Sequence, residues 1–205
     1  MIEDFKDVIY ERLEALTLED KLLIGKVISV SVQPLISLKK DSQLVDIYNE
    51  YLNKVSDKES DGEKIYREYT TKVQEYFEFE EYDDSSYSSY NDENFFTYLS
   101  FIAVRILANT LHTYKASFIE IAVSYLIEVS IVLDDYSYYL NKDNIKLEGL
   151  DNLLKNISLR IMQNACEKLL INSIKICEEH GDQKEEKLMI EENQYKDELN
   201  KVLFN

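Results

Sequence analysis

FTYLSFIAVRILANTLH, residues 96–112, and FIEIAVSYLIEVSIVLDDY, residues 118–136, are the stretches on which the fold turns. They are the most apolar part of the chain, and their apolar residues recur at helical spacing. A membrane reading has to place Arg105 in the middle of the first and Glu120 and Glu128 within the second. Such charges cost about 2.5–3.5 kcal/mol each on an insertion scale, so buried bundle helices are the better reading and no membrane partner is expected. Helices over about 93–114 and 117–140, turning near Lys115-Ala116, predict a central apolar helical hairpin.

Working outward, the chain of 205 residues holds 4 Gly and 1 Pro, where average usage is roughly 12%. Sandwiches, barrels and meanders need a tight turn every 8–12 residues or so, and this chain lacks the residues to make them. No glycine-rich phosphate loop can be written from Gly25, Gly62, Gly149 and Gly181. The fold class expected is all-α: one domain, 1–205, forming a bundle of six to eight helices.

The remaining elements follow from periodicity and punctuation. Ile2, Phe5, Val8, Ile9, Leu13 and Leu16 predict a helix over 2–16. Thr17, with Asp20 three residues on, reads as an N-cap. The helix it starts is stopped or kinked at Gln33 by Pro34. Further helices are predicted over about 42–55, 63–77 and 148–179, the last capped at His180-Gly181. Leu188, Ile190, Tyr195, Leu199, Val202 and Leu203 are the residues available to dock the charged tail, 183–203.

Catalytic and metal chemistry is poorly supplied. The histidines are His112 and His180, the cysteines Cys166 and Cys177, and no CxxC or HxxxH spacing exists. Asn109 and Cys177 stand three residues before the histidines, where a di-iron bundle places Glu. The two thiols are eleven residues apart on one predicted helix, about 16 Å by helical rise, so they do not pair. Free thiols and the acidic start MIEDFKDVIY, which has no apolar signal core, point to a reducing cytoplasm. No catalytic residue, metal or cofactor is expected.

Two features invite a functional reading. In the hairpin, antiparallel packing would set His112 against Glu120, Asn109 against Ser124 and Arg105 against Glu128. That stripe is either a polar site inside the bundle or a seam that meets solvent. The second feature is charge. The net charge is −17, which repels nucleic acid and anionic lipid and favours a basic protein as partner. Between Lys72 and Arg105 lie 32 residues with eight acids and no Lys or Arg. Within them, 78–93 is read as an acidic, tyrosine-rich loop insert. Glu80, Glu81, Tyr82, Asp83, Asp84, Tyr87, Tyr90 and Asp92 are its candidate partner-binding residues. Tyrosine gives contact area at low entropy cost, and acids between the rings steer a basic partner. The alternative is a flexible insert whose rings lie back on the bundle.

ERLEAL (11–16), the apolar helix ending at Pro34, and the two quoted stretches occur in an order that resembles a family of bacterial all-helical proteins of unknown function. The resemblance implies a helical bundle and carries no catalytic residue across. In its small, acidic, motif-free character the chain also resembles bacterial immunity proteins, which cover a toxin's active or entry surface. The function expected is a non-enzymatic cytoplasmic binding protein, most concretely an immunity protein or antitoxin that occludes a basic toxin domain. The rival expectations are a helical regulator or scaffold acting as a homodimer, and an acidic nucleic-acid mimic.

Overall fold

Local chemistry sets the helix boundaries in the computed structural model, which describes residues 2–55, 61–77, 93–113, 118–141, 160–179, 181 and 183–204. Helix α1, Ile2–Glu14, is followed by α2, Leu18–Ser31. Thr17 caps α2 as expected, its side chain accepting from the Asp20 amide at 3.2 Å. Pro34 then separates α2 from the four-residue α3, Gln33–Ile36, and its 3-10 continuation Ser37–Lys39, with a bend of 47°. Proline sits in the first turn of α3, where its missing N–H leaves no bond unmade. Lys40, at φ 57°, ends the 3-10 turn in the left-handed region. Asp41 caps α4, Ser42–Leu52, and Asp61 caps α5, Gly62–Val73. Helices α6, Glu93–Leu111, and α7, Phe118–Asn141, carry the two apolar stretches. Helix α8, Ile161–Glu178, and α9, Lys184–Phe204, complete the described residues, which contain no strand. The described residues hold nine α-helices, one of them the short turn that Pro34 splits off.

Of the expected cap at His180-Gly181, His180 lies outside the described residues. Helix α8 has Glu179 as its C-cap, in right-handed conformation, and Gln183 beyond it is left-handed at φ 69°.

Helix α6 packs against α2, α3, α4, α5 and α7, and is buried on nearly every side through residues such as Leu99, Ile102, Val104 and Leu107. The window Asn94–Leu111 is long and apolar enough to cross a bilayer, and 72% of it is buried inside the protein. Helix α7 in turn contacts α1, α2 and α8, and α8 pairs with α9. Leu188, Tyr195, Leu199 and Val202 dock α9, whereas Ile190 is 51% exposed and takes no part. Val8 of α1 is likewise exposed although it falls in the apolar pattern.

Buried polar groups join the helices. The Ser100 hydroxyl donates to Leu35 O at 2.7 Å, and the Tyr48 hydroxyl to Ser29 O at 2.7 Å. Thr110 Oγ1 donates to Gly25 O at 3.3 Å and lies 3.2 Å from Ser29 Oγ. At that crossing α2 and α6 are so close that a Cβ on Gly25 would stand 2.6 Å from Thr110 Cγ2.

Candidate functional site

Glu80, Glu81, Tyr82, Asp83, Asp84, Tyr87, Tyr90 and Asp92 lie outside the described residues. The structure shows the points where the chain enters and leaves that segment. On entry, Phe77 is 2% exposed, its ring 5.5 Å from that of Phe101 on α6. The Lys39 ammonium donates to Tyr76 O at 2.6 Å and lies 4.2 Å from the centre of the Phe77 ring. Burial pulls the Lys39 ammonium below its ordinary value, and Asp41 pushes it back up. On exit, the fully buried Phe95 packs its ring 5.2 Å from Tyr136 of α7. Phe95 and Phe101 are six residues apart on one helix, about 9 Å by helical rise. The described residues that flank the acidic segment are each held by an aromatic contact, Phe77 to Phe101 of α6 and Phe95 to Tyr136 of α7.

The six residues of the expected polar stripe have separate surroundings. Asn109 Nδ2 donates to Arg105 O at 2.7 Å, within α6. The Arg105 guanidinium lies 5.2 Å from the Phe101 ring centre. The His112 ring is stacked 4.0 Å from Tyr66 of α5, at an interplanar angle of 9°, with Phe118 also at 4.0 Å. Ser124 is hydrogen-bonded to the Tyr10 hydroxyl of α1. Glu128 accepts from the Tyr98 hydroxyl at 2.5 Å. Glu120 sits in the field of Glu14 and Lys21; burial raises its carboxyl above the ordinary value, Glu14 adds to that, and Lys21 opposes it. Helices α6 and α7 each have several neighbours. Helix α7 turns Glu120 and Ser124 toward α1 and α2, while Arg105 of α6 meets the Phe101 ring and His112 lies between Tyr66 of α5 and Phe118 of α7.

Nucleophile and metal chemistry can be tested on the thiols. Cys166 and Cys177 are both buried and free, and burial pushes each up to about 12. Near neutral pH such a thiol is protonated, whereas nucleophilic attack needs the thiolate. Among the described residues no three of His, Cys, Asp and Glu come together as a metal site. His180 lies outside those residues.

Two polar clusters escaped the sequence reading. Asp20 receives the Lys184 ammonium at 2.7 Å and the Thr17 hydroxyl at 2.8 Å, tying the start of α2 to the start of α9. Asp134 of α7, 3% exposed, accepts from the Met162 and Gln163 amides at 2.7 and 3.0 Å and so caps α8 from a neighbouring helix. A cleft of about 460 Å³ between α4 and α5 is lined by charges that largely satisfy each other. Its Glu50 takes Lys54 at 2.7 Å and Lys72 at 3.1 Å, and both ammoniums lie over the Tyr51 ring.

Tyrosine also has a second use here. Tyr48, Tyr51, Tyr69, Tyr98, Tyr136 and Tyr195 are buried core residues, several with their hydroxyls bonded to another helix. Their positions on the apolar face of each helical pattern were the signal for this. Comparison with known proteins yields no match: no family model, no curated protein and no solved structure is similar to this chain. The functional reading rests on its own residues.

Proposed function

We propose that the protein is a non-catalytic binding protein for a basic protein partner, most concretely an immunity protein or antitoxin that occludes a toxin domain. In this reading the whole chain, 1–205, is one bundle organised on the α6–α7 hairpin, it works in the cytoplasm, and residues 78–93 form the leading contact surface.

The observation that carries the reading is the acid surplus. Asp and Glu number 40 against 23 Lys and Arg, so pairing every cation once leaves seventeen carboxylates uncompensated. Self-repulsion of that size destabilises a compact chain, and a basic partner relieves it. The described residues on either side of the densest acidic stretch, Phe77 and Phe95, are each seated by an aromatic contact.

The test is to purify the product of the adjacent gene and titrate it with this protein at two salt concentrations, beside a growth assay with and without coexpression. The reading expects growth inhibition by that product alone, protection on coexpression, and an affinity that falls with salt. A neighbour that neither binds nor inhibits growth would overturn the immunity reading. Binding to a nuclease at its DNA surface would instead establish the nucleic-acid mimic.

A further inference from the structure

Helices α2 and α9 pack side by side, and between their N-terminal halves lies an open groove of about 370 Å³. Its floor is apolar. Val27 and Leu188 are buried beneath it, Leu23 is half-buried, and Met189 remains 53% exposed. The α9 lip carries Glu185 and Glu186, both exposed and with no ion pair among the described residues. Glu192, further along the same lip, is held by Lys196 at 3.0 Å. On the α2 lip stands one opposing charge, Lys26.

We infer that this groove docks an amphipathic, basic helix of a partner protein. The volume falls within the range of about 300–1,000 Å³ typical of ligand pockets. An apolar floor between two helices suits the i, i+3, i+4, i+7 side chains of a third. Methionine, unbranched and polarisable, adapts to whichever side chains enter. Charge fixes the sign of the occupant: uncommitted carboxylates edge the groove on a chain of net charge −17, so lysines or arginines on the rim of the docked helix are attracted and acids repelled. The single Lys26 makes the two lips unlike, so the basic edge of the docked helix lies along α9.

The groove meets α2 at residues 23–27, beside the Gly25–Thr110 crossing near the C-terminal end of α6, whereas the described residues that flank the acidic segment, Phe77 and Phe95, pack on Phe101 and Tyr136. The inference extends the binding reading to a second surface, and the experiment keeps the two apart. The probe is a synthetic helical peptide of leucines at i, i+3, i+4 and i+7 with lysines elsewhere, carrying a fluorophore and a photo-crosslinker. It is titrated against the full chain at low and moderate salt, with crosslinks mapped by mass spectrometry. Saturable binding with crosslinks on α2 and α9 is expected. The exposed substitution Met189→Glu should weaken binding at least tenfold. The pair Glu185→Lys and Glu186→Lys should weaken it about tenfold and flatten its salt dependence. Asp83→Asn with Asp84→Asn should leave the crosslink positions unchanged. Peptide binding abolished by the Asp83 and Asp84 changes but untouched by the groove variants would overturn the groove and support the acidic segment. No saturable binding by the unaltered chain would also overturn it, without touching the test by the adjacent gene product.

Discussion

Gly25→Ala is expected to destabilise the protein, although alanine is the better helix former. The added Cβ stands 2.6 Å from Thr110 Cγ2, 3.0 Å from Thr110 Oγ1 and 3.3 Å from Ile119 Cδ1. Carbon atoms prefer about 3.5–4.0 Å, so the overlap with Cγ2 is on the order of 1 Å. Thr110 has little room to yield. It is β-branched, and its hydroxyl is engaged by Gly25 O and Ser29 Oγ. Relief requires either breaking those bonds or moving α2 away from α6. Overpacking of this kind costs about 1–3 kcal/mol, and each lost hydrogen bond about 1 kcal/mol more. The gain in helix propensity offsets about 1 kcal/mol. The net expectation is a loss of about 2–3 kcal/mol.

The assay is urea unfolding followed by far-ultraviolet circular dichroism, on four proteins and one control. The set comprises the parent chain, Gly25→Ala, Thr110→Ala and the double variant. In the double variant the clash disappears with the threonine, so the two losses should not add; a coupling of about 1–2 kcal/mol in favour of the pair is expected. Gly181→Ala is the control: the nearest atom to its Cβ is Lys187 Nζ at 4.0 Å, so its effect should stay within about 0.5 kcal/mol. A Gly25→Ala protein as stable as the parent would refute the close crossing of α2 and α6. Strict additivity with Thr110→Ala would place the strain elsewhere.

Asp134→Ala should cost about 1–3 kcal/mol by orphaning two amides of α8, whereas Asp134→Asn, which keeps an acceptor, should cost much less; equal losses in chemical unfolding would contradict the capping role. Burial raises the Asp134 carboxyl, with the two amides pulling down and Asp135 pushing up. Its contribution is therefore present below the unfolded value and lost as pH rises through the folded one, and Asp134→Asn should flatten that loss. Asp20 runs the other way. Burial would raise it, but the hydrogen bonds from Lys184 and Thr17 prevail and hold it below its ordinary value. Its stabilisation should be present above that value and vanish as pH falls through the folded one, a dependence absent from Asp20→Asn in melts across pH 2–6 or so. At the acidic segment, Asp83→Asn with Asp84→Asn should slow association and flatten its salt dependence. Tyr82, Tyr87 or Tyr90→Ala should speed dissociation, one of them by about 2 kcal/mol. Unchanged surface-plasmon kinetics in both sets would move the contact elsewhere, and a large fall in melting temperature would put the rings on the bundle.

Features decided by neighbours in sequence were the readable ones. Thr17 and Asp20 are three residues apart, so the cap they form is a local event, and the stop at Pro34 follows from a missing N–H and a steric clash. The helical class and the apolar α6 and α7 were legible for the same reason: periodicity is a property of one segment. Gln183 shows the limit of even local signals: it takes a left-handed conformation to which no sequence preference pointed.

What escaped was everything that depends on which helix lies across from which. Asp134 reads as one of two acids ending an apolar run, and only the start of α8 against it makes it a cap. Asp20 and Lys184 are far apart in sequence, yet they form one ion pair. A hairpin in isolation would gather its polar residues on its solvent side. Helix α6 packs against α2, α3, α4, α5 and α7, and its Arg105, Asn109 and His112 lie half-buried along one side of it. Its polar residues meet different surroundings: Asn109 donates to its own backbone, His112 lies between flanking rings, and Ser100 donates to the end of α3. The same reasoning bears on function. A helix buried on nearly every side has little surface to offer a partner, so the contacts proposed are the acidic segment, 78–93, and the groove that α9 builds against α2.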